Sequence, residues 1–408
     1  MKILVSNIGS TSFKFRLFDM SSAELELASG GADRIGGSGG SLKLALAGRT
    51  ARAERDFADH GRAIEFVMSR LVAEGVLASP ADLDAVAFKA VVGGGAEPVC
   101  LVDDALLERM EYFAGIAPVH NPPYIAAMRM FRQVLPSAAL VAAFEDGFHA
   151  TNPPRRRMYA CPPDWAEKFG VRRYGYHGAS HRHVASRLGE LMPHARRVIS
   201  CHLGGSSSLC AIADGKSVAT SMGLTPQSGL PQCTRVGDFD AFGLKLMAER
   251  TGRDMDDLLA ELGNRAGLAA LSGTSGDIRD IEAGLAGGDQ RCRLALELYA
   301  TSIRDYLGAY MVELGGVDAI AFTGGIGQHN PLVRGMVLND LGFAGIVLDA
   351  KANKEVREEG RIDAPGSAAA LWVLPANEEL VVARLAAEFL AKRGKCYPEN
   401  QDVRNSRT

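Results

Sequence analysis

The sequence is short of several features that would place it in a class at once. Its seven cysteines are scattered singly, with an odd total and no CxxC pair. That pattern indicates neither a disulfide framework nor a zinc site, and it suits a reduced, cytosolic chain. No apolar run reaches the roughly 18 residues of a membrane span, and the apolar part of "MKILVSNIGS" is too short for a secretion-signal core. Excess charge is also lacking: 45 Lys and Arg against 48 Asp and Glu leave a net charge of −3. This argues against nucleic acid as the main partner. What is present is 408 residues, 47% apolar and 23% charged. That is enough for two or three domains with large cores.

"KILVSNI" and "FKFRLFD" read as strands joined by "GSTS", and "SLKLAL" as another. "HGRAIEFVMSRLVAEG", "DDALLERMEYFAGIA" and "PPYIAAMRMFRQVL" have helical spacing, whereas "LDAVAFKAVVGGG" and "AALVAAF" read as buried strands. Strands alternating with helices predict an α/β architecture with a substantially parallel sheet. Near residue 150 the composition shifts to "TNPPRRRMYACPPDW", a candidate inter-domain crossing. Beyond it, "RRVISCHLGG" and "SSLCAIADG" repeat the opening pattern of strand, Gly/Ser turn, strand. A long helix over about 289–314, the strand "VDAIAFTGGIG", the strand "ALWVLP" and the helix "NEELVVARLAAEFLAKRG" follow. Two matching Gly/Ser turns and a third glycine loop predict a duplicated domain and a nucleotide cleft, because such turns offer backbone N–H groups to phosphate oxygens.

Five constellations carry candidate chemistry, several with a plainer reading beside them. Asn7, Ser10, Ser12 and Lys14 suit phosphate and Mg²⁺ recognition, or form a polar hairpin. In "YGYHGASHRH", His177 suits a transferring phosphoryl group, while the His177/His181 spacing also suits two metal ligands on one helical face. Asp277 and Arg279 in "LSGTSGDIRD" lie where a loop could hold an adenosine, or where Asp277 caps a helix. Glu378 and Glu379 open the last helix, where acids complement the helix dipole or reach Mg²⁺. Glu145 and Asp146 end the strand "LVAAFEDGFH", with Glu145 expected to turn inward and Asp146 to form the turn.

"YGYHGASH", "HLGG" with "TSMGLTPQSGL", "TRVGDFD", "FTGGIGQHNPLVR" and "ANEEL" together resemble the acetate and butyrate kinase family, in order and over nearly the whole chain. The resemblance implies duplicated ribonuclease-H-like domains of the actin, hexokinase and Hsp70 type with a cleft between them. It also implies a homodimer that uses ATP/ADP with Mg²⁺, or Mn²⁺ in its place; the cysteine pattern and the missing apolar run add the expectation of a cytoplasmic chain that does not bind membranes. The implied reaction is reversible in-line transfer of the γ-phosphoryl group of ATP to acetate, propionate or a similar acid, giving an acyl phosphate. We expect an acid-binding domain at 1–148 with a returning helix at 377–395, a nucleotide-binding domain at 149–376, and a disordered tail at 396–408.

Carried over residue by residue, the resemblance puts Glu145, His177, Arg235 and Lys89 at the catalytic centre. Val91, Val119, Tyr176 and Pro226 fall at the pocket for the acid's alkyl end. Ser10, Ser12, Lys14, His202, Gly204, Asp277, Ile278, Arg279, Gly325 and Ile326 fall around the nucleotide, and Asn7 and Glu378 at the metal. The chain departs from the family pattern at important points. The family's active-site arginine falls on Lys89, the histidine before the glycines on Val92, the pocket phenylalanine on Tyr176 and the catalytic aspartate on Glu145. Lysine offers a point charge where arginine offers a planar fork. These departures leave three readings open: a kinase for acetate or a similar short acid; a kinase of the same fold for another acceptor, with Glu145 and Lys89 as a new pair for a different acid and a polar group that meets Tyr176; and a catalytically impaired nucleotide-binding regulatory dimer.

Overall fold

A computed structural model describes residues 1–21, 24–46, 49–115 and 121–396. The chain divides into two compact units, Met1–Gly147 with the segment from Glu378, and Phe148–Asn377. Val119 and the expected tail beyond Cys396 lie outside the described residues.

The first unit is built on an eight-stranded sheet. β1 (Lys2–Gly9), β2 (Ser12–Asp19), β3 (Leu25–Asp33), β4 (Ser41–Leu46) and β5 (Arg49–Glu54) are each antiparallel to the next. β6 (Ala85–Ala90) pairs in parallel with β1. β7 (Val99–Leu101) is the far edge strand, antiparallel to β8 (Ala139–Phe144), which pairs in parallel with β6. The sheet is therefore less parallel than the alternation of elements predicts. Parallel pairing needs a long crossover, and helix-bearing crossovers join β5 to β6 and lead from β7 to β8, whereas the first five strands follow one another through short connections.

Ile3, Leu4, Val5 and Ser6 of β1 are all buried, as a strand covered on both faces requires. On one face Leu4, Val86 and Phe88 join a core with Phe131 of the helix Asn121–Val134; the Phe88 and Phe131 rings meet edge to face, centroids 5.4 Å apart. The alternate residues Ile3, Val5 and Ala87 point to the other face. The C-terminal helix Glu378–Cys396 packs on β1, β6 and β8 and buries Val381, Val382 and Ala386. Each large apolar side chain so buried contributes roughly 1.5–3 kcal/mol.

The second unit repeats the plan. β9 (Arg197–Leu203), β10 (Ser207–Ala213) and β11 (Lys216–Thr220) form an antiparallel meander. β12 (Ala319–Thr323) is parallel to β9, and β13 (Gly360–Arg361) is antiparallel to β14 (Ala370–Val373), which is parallel to β12. Counting β1, β2, β3, β6, β8 and β9, β10, β11, β12, β14 as first to fifth, both sheets have the order 3-2-1-4-5 with the same directions, and both carry an antiparallel edge strand after the fifth. The helix Gln290–Leu314, capped by Asp289 and ended by left-handed Gly315, brings Tyr299, Ile303 and Leu307 onto Leu203, Leu209 and Phe322.

Candidate active site

In the first unit, polar side chains collect at the C-terminal ends of the parallel strands, where open α/β sheets place their sites. Asn7 is near the end of β1, Lys89 is the penultimate residue of β6, and Glu145 follows β8 directly. The Lys89 Nζ lies 2.5 Å from Glu378 Oε2, in the first turn of the last helix, and 3.8 Å from Glu145 Oε1. Burial alone would lower the pKa of Lys89, but the carboxylates of Glu378 and then Glu145 outweigh it, so the net shift is upward and the ammonium persists. The Tyr124 hydroxyl donates to Asn7 Oδ1 at 3.1 Å. Burial pushes this phenol up to about 12, and it feels the charges of Lys89, Glu145 and Glu378. The side chains thus form one group.

The expected Lys89–Glu145 pair is present and Asp146 lies in the turn as expected, with a refinement to each. The pairing of Lys89 with Glu145 is the longer of two contacts; Glu378 is the nearer partner, because the helix start sets it beside β6. β8 stops at Phe144, so Glu145 and Asp146 both belong to the turn. Glu145 is still only 5% exposed, since its backbone N–H donates to Ala90 O at 2.8 Å and holds it against β6. Of the hairpin residues, Ser10 is exposed at the turn and Ser12 sits opposite Gly9. Lys14 is directly across from Asn7, and both line a cavity of about 400 Å³ that also holds Arg16, Lys43 and Glu379. Val91, just past β6, is half-buried.

In the second unit, His177 precedes the helix Gly178–Leu191 with φ 57°, a left-handed conformation that costs a residue with a Cβ about 1–2 kcal/mol. Its Nδ1 lies 2.8 Å from Ser208 Oγ, and its ring stacks on His202 with centroids 4.2 Å apart. His202 Nδ1 is in turn 2.8 Å from Ser180 Oγ. Behind them, His181 has Nε2 at 2.8 Å from the same Ser208 Oγ and Nδ1 at 2.8 Å from Ser200 Oγ. Burial drives His181 well below the usual imidazole range. The spacing that suits two metal ligands serves a hydrogen-bonded network instead, because serine hydroxyls engage both nitrogens of His181. His149 Nε2 donates to the carbonyl of Tyr176 at 2.9 Å, fixing the backbone just before His177, and burial lowers this imidazole to about 4.

Tyr176 is buried, and its hydroxyl donates to Leu224 O at 2.5 Å. The polar group expected on the pocket wall is therefore tied to backbone. Pro226 is also buried, and its carbonyl accepts from Gln232 Nε2 at 2.8 Å. The Oε1 of Gln232 accepts from Arg235 Nη1 at 3.1 Å, and Ser206 Oγ accepts from the same nitrogen at 3.3 Å. Both acceptors are neutral. Among the described residues Arg235 has no carboxylate partner, and burial lowers its pKa.

Gly204, Asp277, Ile278, Arg279, Gly325 and Ile326 line one cavity of about 760 Å³ within this unit. Asp277 serves both readings of its loop. It caps the helix Ile278–Ala286 by accepting from Arg279 N at 2.9 Å, and the Arg279 guanidinium holds its carboxyl down to about 2. The glycines after β12 form the start of a helix, Gly324–His329, where a loop is expected. Gly324 has φ +77°, and a Cβ there would sit 2.6 Å from Leu203 O, so only glycine lets the chain turn this close to β9.

Sequence reasoning missed Tyr124, which sits in a core-patterned helix, and the buried Ser200, Ser208 and Arg334. Arg334 donates to the carbonyls of Gly327 and Gln328, both at 2.8 Å, and to Asn353 Oδ1 at 2.7 Å. A clue was present in "GGIGQHNPLVR", where an arginine follows a glycine-rich turn at helical distance.

Two sheets of identical order, with polar groups at the ends of their parallel strands, define duplicated ribonuclease-H-like domains of the actin-type ATPases. The chain belongs to the Acetokinase family, whose model matches residues 2–384. It is 40% identical over 399 residues to an acetate kinase of Clostridium botulinum, covering 96% of this chain and 100% of that one. The crystal structure of Porphyromonas gingivalis acetate kinase superposes with a TM-score of 0.87 at 35% identity, covering 95% of this chain and 99% of that one. The structure of a propionate kinase from Francisella tularensis also gives 0.87, at 30% identity, covering 94% and 98%.

Proposed function

We propose that the chain is a carboxyl-group phosphotransferase that moves the γ-phosphoryl group of ATP onto acetate, propionate or an acid of similar size, reversibly. The observation that carries this reading is Arg235. It is a half-buried guanidinium whose hydrogen-bond partners among the described residues, Ser206 and Gln232, are neutral, and the adjacent Gly204 and Gly205 line the cavity of the second unit. Such a cation is complementary to a phosphoryl anion. The family membership and the kinases named above support the same reading, and no observation favours another acceptor or an impaired regulatory protein.

In the forward direction a carboxylate oxygen forms a bond to the γ-phosphorus, the bond from that phosphorus to the β–γ bridging oxygen breaks, and ADP leaves with the electron pair. The acid is already ionised at neutral pH, so no base has to remove a proton. Lys89 supplies an ammonium for the acid's carboxylate or the phosphoryl oxygens, and Glu145 and Glu378 keep it charged and oriented. His177 and Arg235 stabilise charge on the equatorial oxygens. In the second unit Asp277, Ile278, Arg279, Gly325 and Ile326 hold the nucleoside, Gly204 and His202 face phosphate, and Tyr176 and Pro226 suit an alkyl end; in the first unit the hairpin of Ser10, Ser12 and Lys14 offers hydroxyls and an ammonium to phosphate, and Val91 offers an apolar side chain. Two carboxylates around one ammonium leave excess negative charge, and with Asn7 they offer the oxygen ligands Mg²⁺ prefers, so the residues fit the ion. Glu378 and Asn7 would hold it, and when bound it neutralises charge on the nucleotide phosphates.

The test is acyl phosphate formation, trapped as hydroxamate, over a panel of carboxylic acids with ATP and Mg²⁺. Product with C2 or C3 acids supports the reading; no product from any acid, with normal ATP binding, sinks it. We also propose a cytoplasmic homodimer. No helix among the described residues is long and apolar enough to cross a membrane. The helix Phe242–Thr251 buries none of its residues, and Phe242 is 82% exposed beside Phe239, Leu246 and Met247. Such an apolar face needs cover, and a second copy supplies it. Light scattering is expected to give twice the chain mass, and F242E with L246E the mass of a single chain.

A further inference from the structure

We infer that Ser208, backed by His181 and Ser200, fixes the proton of His177 on Nε2 and makes this ring a neutral hydrogen-bond donor. The inference deepens, and rests on, the proposal that His177 faces the transferring phosphoryl group.

Three contacts of 2.8 Å run in series, from His177 Nδ1 to Ser208 Oγ, from Ser208 Oγ to His181 Nε2, and from His181 Nδ1 to Ser200 Oγ. Ser200, His181 and Ser208 are fully buried, so bulk water satisfies none of them. Among the described residues neither serine hydroxyl has another hydrogen-bond partner.

The protons can then be counted. Suppose His177 donates from Nδ1 and Ser208 passes its proton to His181 Nε2. His181 must then donate from Nδ1 to Ser200, and the Ser200 proton is left without an acceptor. Suppose instead that both imidazoles donate to Ser208. Its own proton is then left over. In the remaining arrangement Ser200 donates to His181 Nδ1, His181 Nε2–H donates to Ser208, and Ser208 donates to His177 Nδ1. Every buried donor and acceptor is satisfied, and an unmet buried donor is what folded proteins avoid. Burial keeps His181 neutral, which removes the doubly protonated alternative for that ring.

His177 Nδ1 is thereby an acceptor, and the ring's proton lies on Nε2. An Nε2–H is the donor that charge developing on a phosphoryl oxygen needs, and it is present without imidazolium. His202 stacks on His177 at 4.2 Å, His181 lies at 6.5 Å, and His149 lies beyond, 5.7 Å from His181. Ser208 and His181 are thus positioning residues that act through His177.

The test uses the full chain labelled with ¹⁵N-histidine and long-range proton–nitrogen correlation, with the His177 and His181 signals assigned by substitution to glutamine. Unprotonated Nδ1 and protonated Nε2 on both rings is the expected result; Nδ1–H on either overturns the inference. This readout needs no turnover, so its failure is distinct from failure of the proposed reaction. A second arm measures kinetics. S208A is expected to shift the His177 Nδ1 resonance and lower kcat by roughly 10-fold with KM for ATP within about twofold, and S208T is expected to restore both. Unchanged kcat and an unchanged Nδ1 resonance in S208A would overturn it.

Discussion

Lys89 is one ammonium facing two carboxylates, and this arrangement sets the behaviour of the first unit's site. K89M should lower kcat/KM for the acid by about 10²–10³-fold, the scale of losing a charged donor to a transition state. ATP binding, read by calorimetry, should be unchanged; a turnover change below about 3-fold would mean that Lys89 is structural only. Two histidines of the second unit predict the acid limb of stability. Unfolded, each titrates near 6.5, whereas folded His149 titrates near 4 and His181 is shifted the same way. Below about 6.5 the unfolded chain therefore binds more protons. Stability is full above that pH and falls as pH drops toward 4, by up to about 3 kcal/mol for His149. Urea midpoints between pH 7.5 and 4.5 should fall accordingly, with a shallower slope for H149Q. An equal slope in the two chains would contradict the assignment.

Among the elements, the helix Gly324–His329 is held by a single guanidinium. Arg334 is fully buried, its pKa is lowered to about 10 by burial, and its guanidinium donates to the carbonyl oxygens of Gly327, Gln328 and Asn353. R334K keeps a charge but loses the fork, and should raise KM for ATP several-fold while KM for the acid stays within about twofold. An unchanged KM for ATP would detach this helix from nucleotide binding. In the first unit, F131A should cost about 3–5 kcal/mol by denaturant titration, since Phe131 packs against both Phe13 and Phe88. Elements with clear periodicity were legible: β1, β2, β6, β8 and the helices His60–Ala73, Asn121–Val134 and Gln290–Leu314 all follow apolar spacing. β3 was not, because "LELASGGAD" carries two glycines that normally signal a turn. Here the missing side chain is the requirement: a Cβ at Gly30 would sit 2.2 Å from Lys43 O of β4. β5, "RTARAE", is exposed throughout and shows no pattern to read. The site followed the same division. That Asp277, Arg279, Gly325 and Ile326 come together around one cavity was legible through motifs, whereas Ser200, Ser208 and Tyr124 are ordinary residues whose contacts arise only from what folding sets beside them.

At the level of the whole molecule, the repeated 3-2-1-4-5 sheets show how one plan carries two kinds of site. In the first unit the strand ends bear Asn7, Lys89 and Glu145; in the second, the ends of β9 and β12 bear His202 and the turn into Gly324. The order of the chain adds a consequence in time. The first unit is interrupted, and its last helix arrives only from Glu378, 289 residues after the lysine it pairs with. During synthesis the N-terminal sheet must wait, with one face uncovered and Lys89 short of its nearest counter-charge, until the whole second unit has emerged from the ribosome. A nascent chain halted before Glu378 would already hold the complete lining of the 760 Å³ cavity. With the nucleotide in that cavity, as proposed above, capture would precede transfer competence in the life of each molecule, and a nucleotide analogue should protect such a truncated chain from proteolysis in its second unit but not in its first.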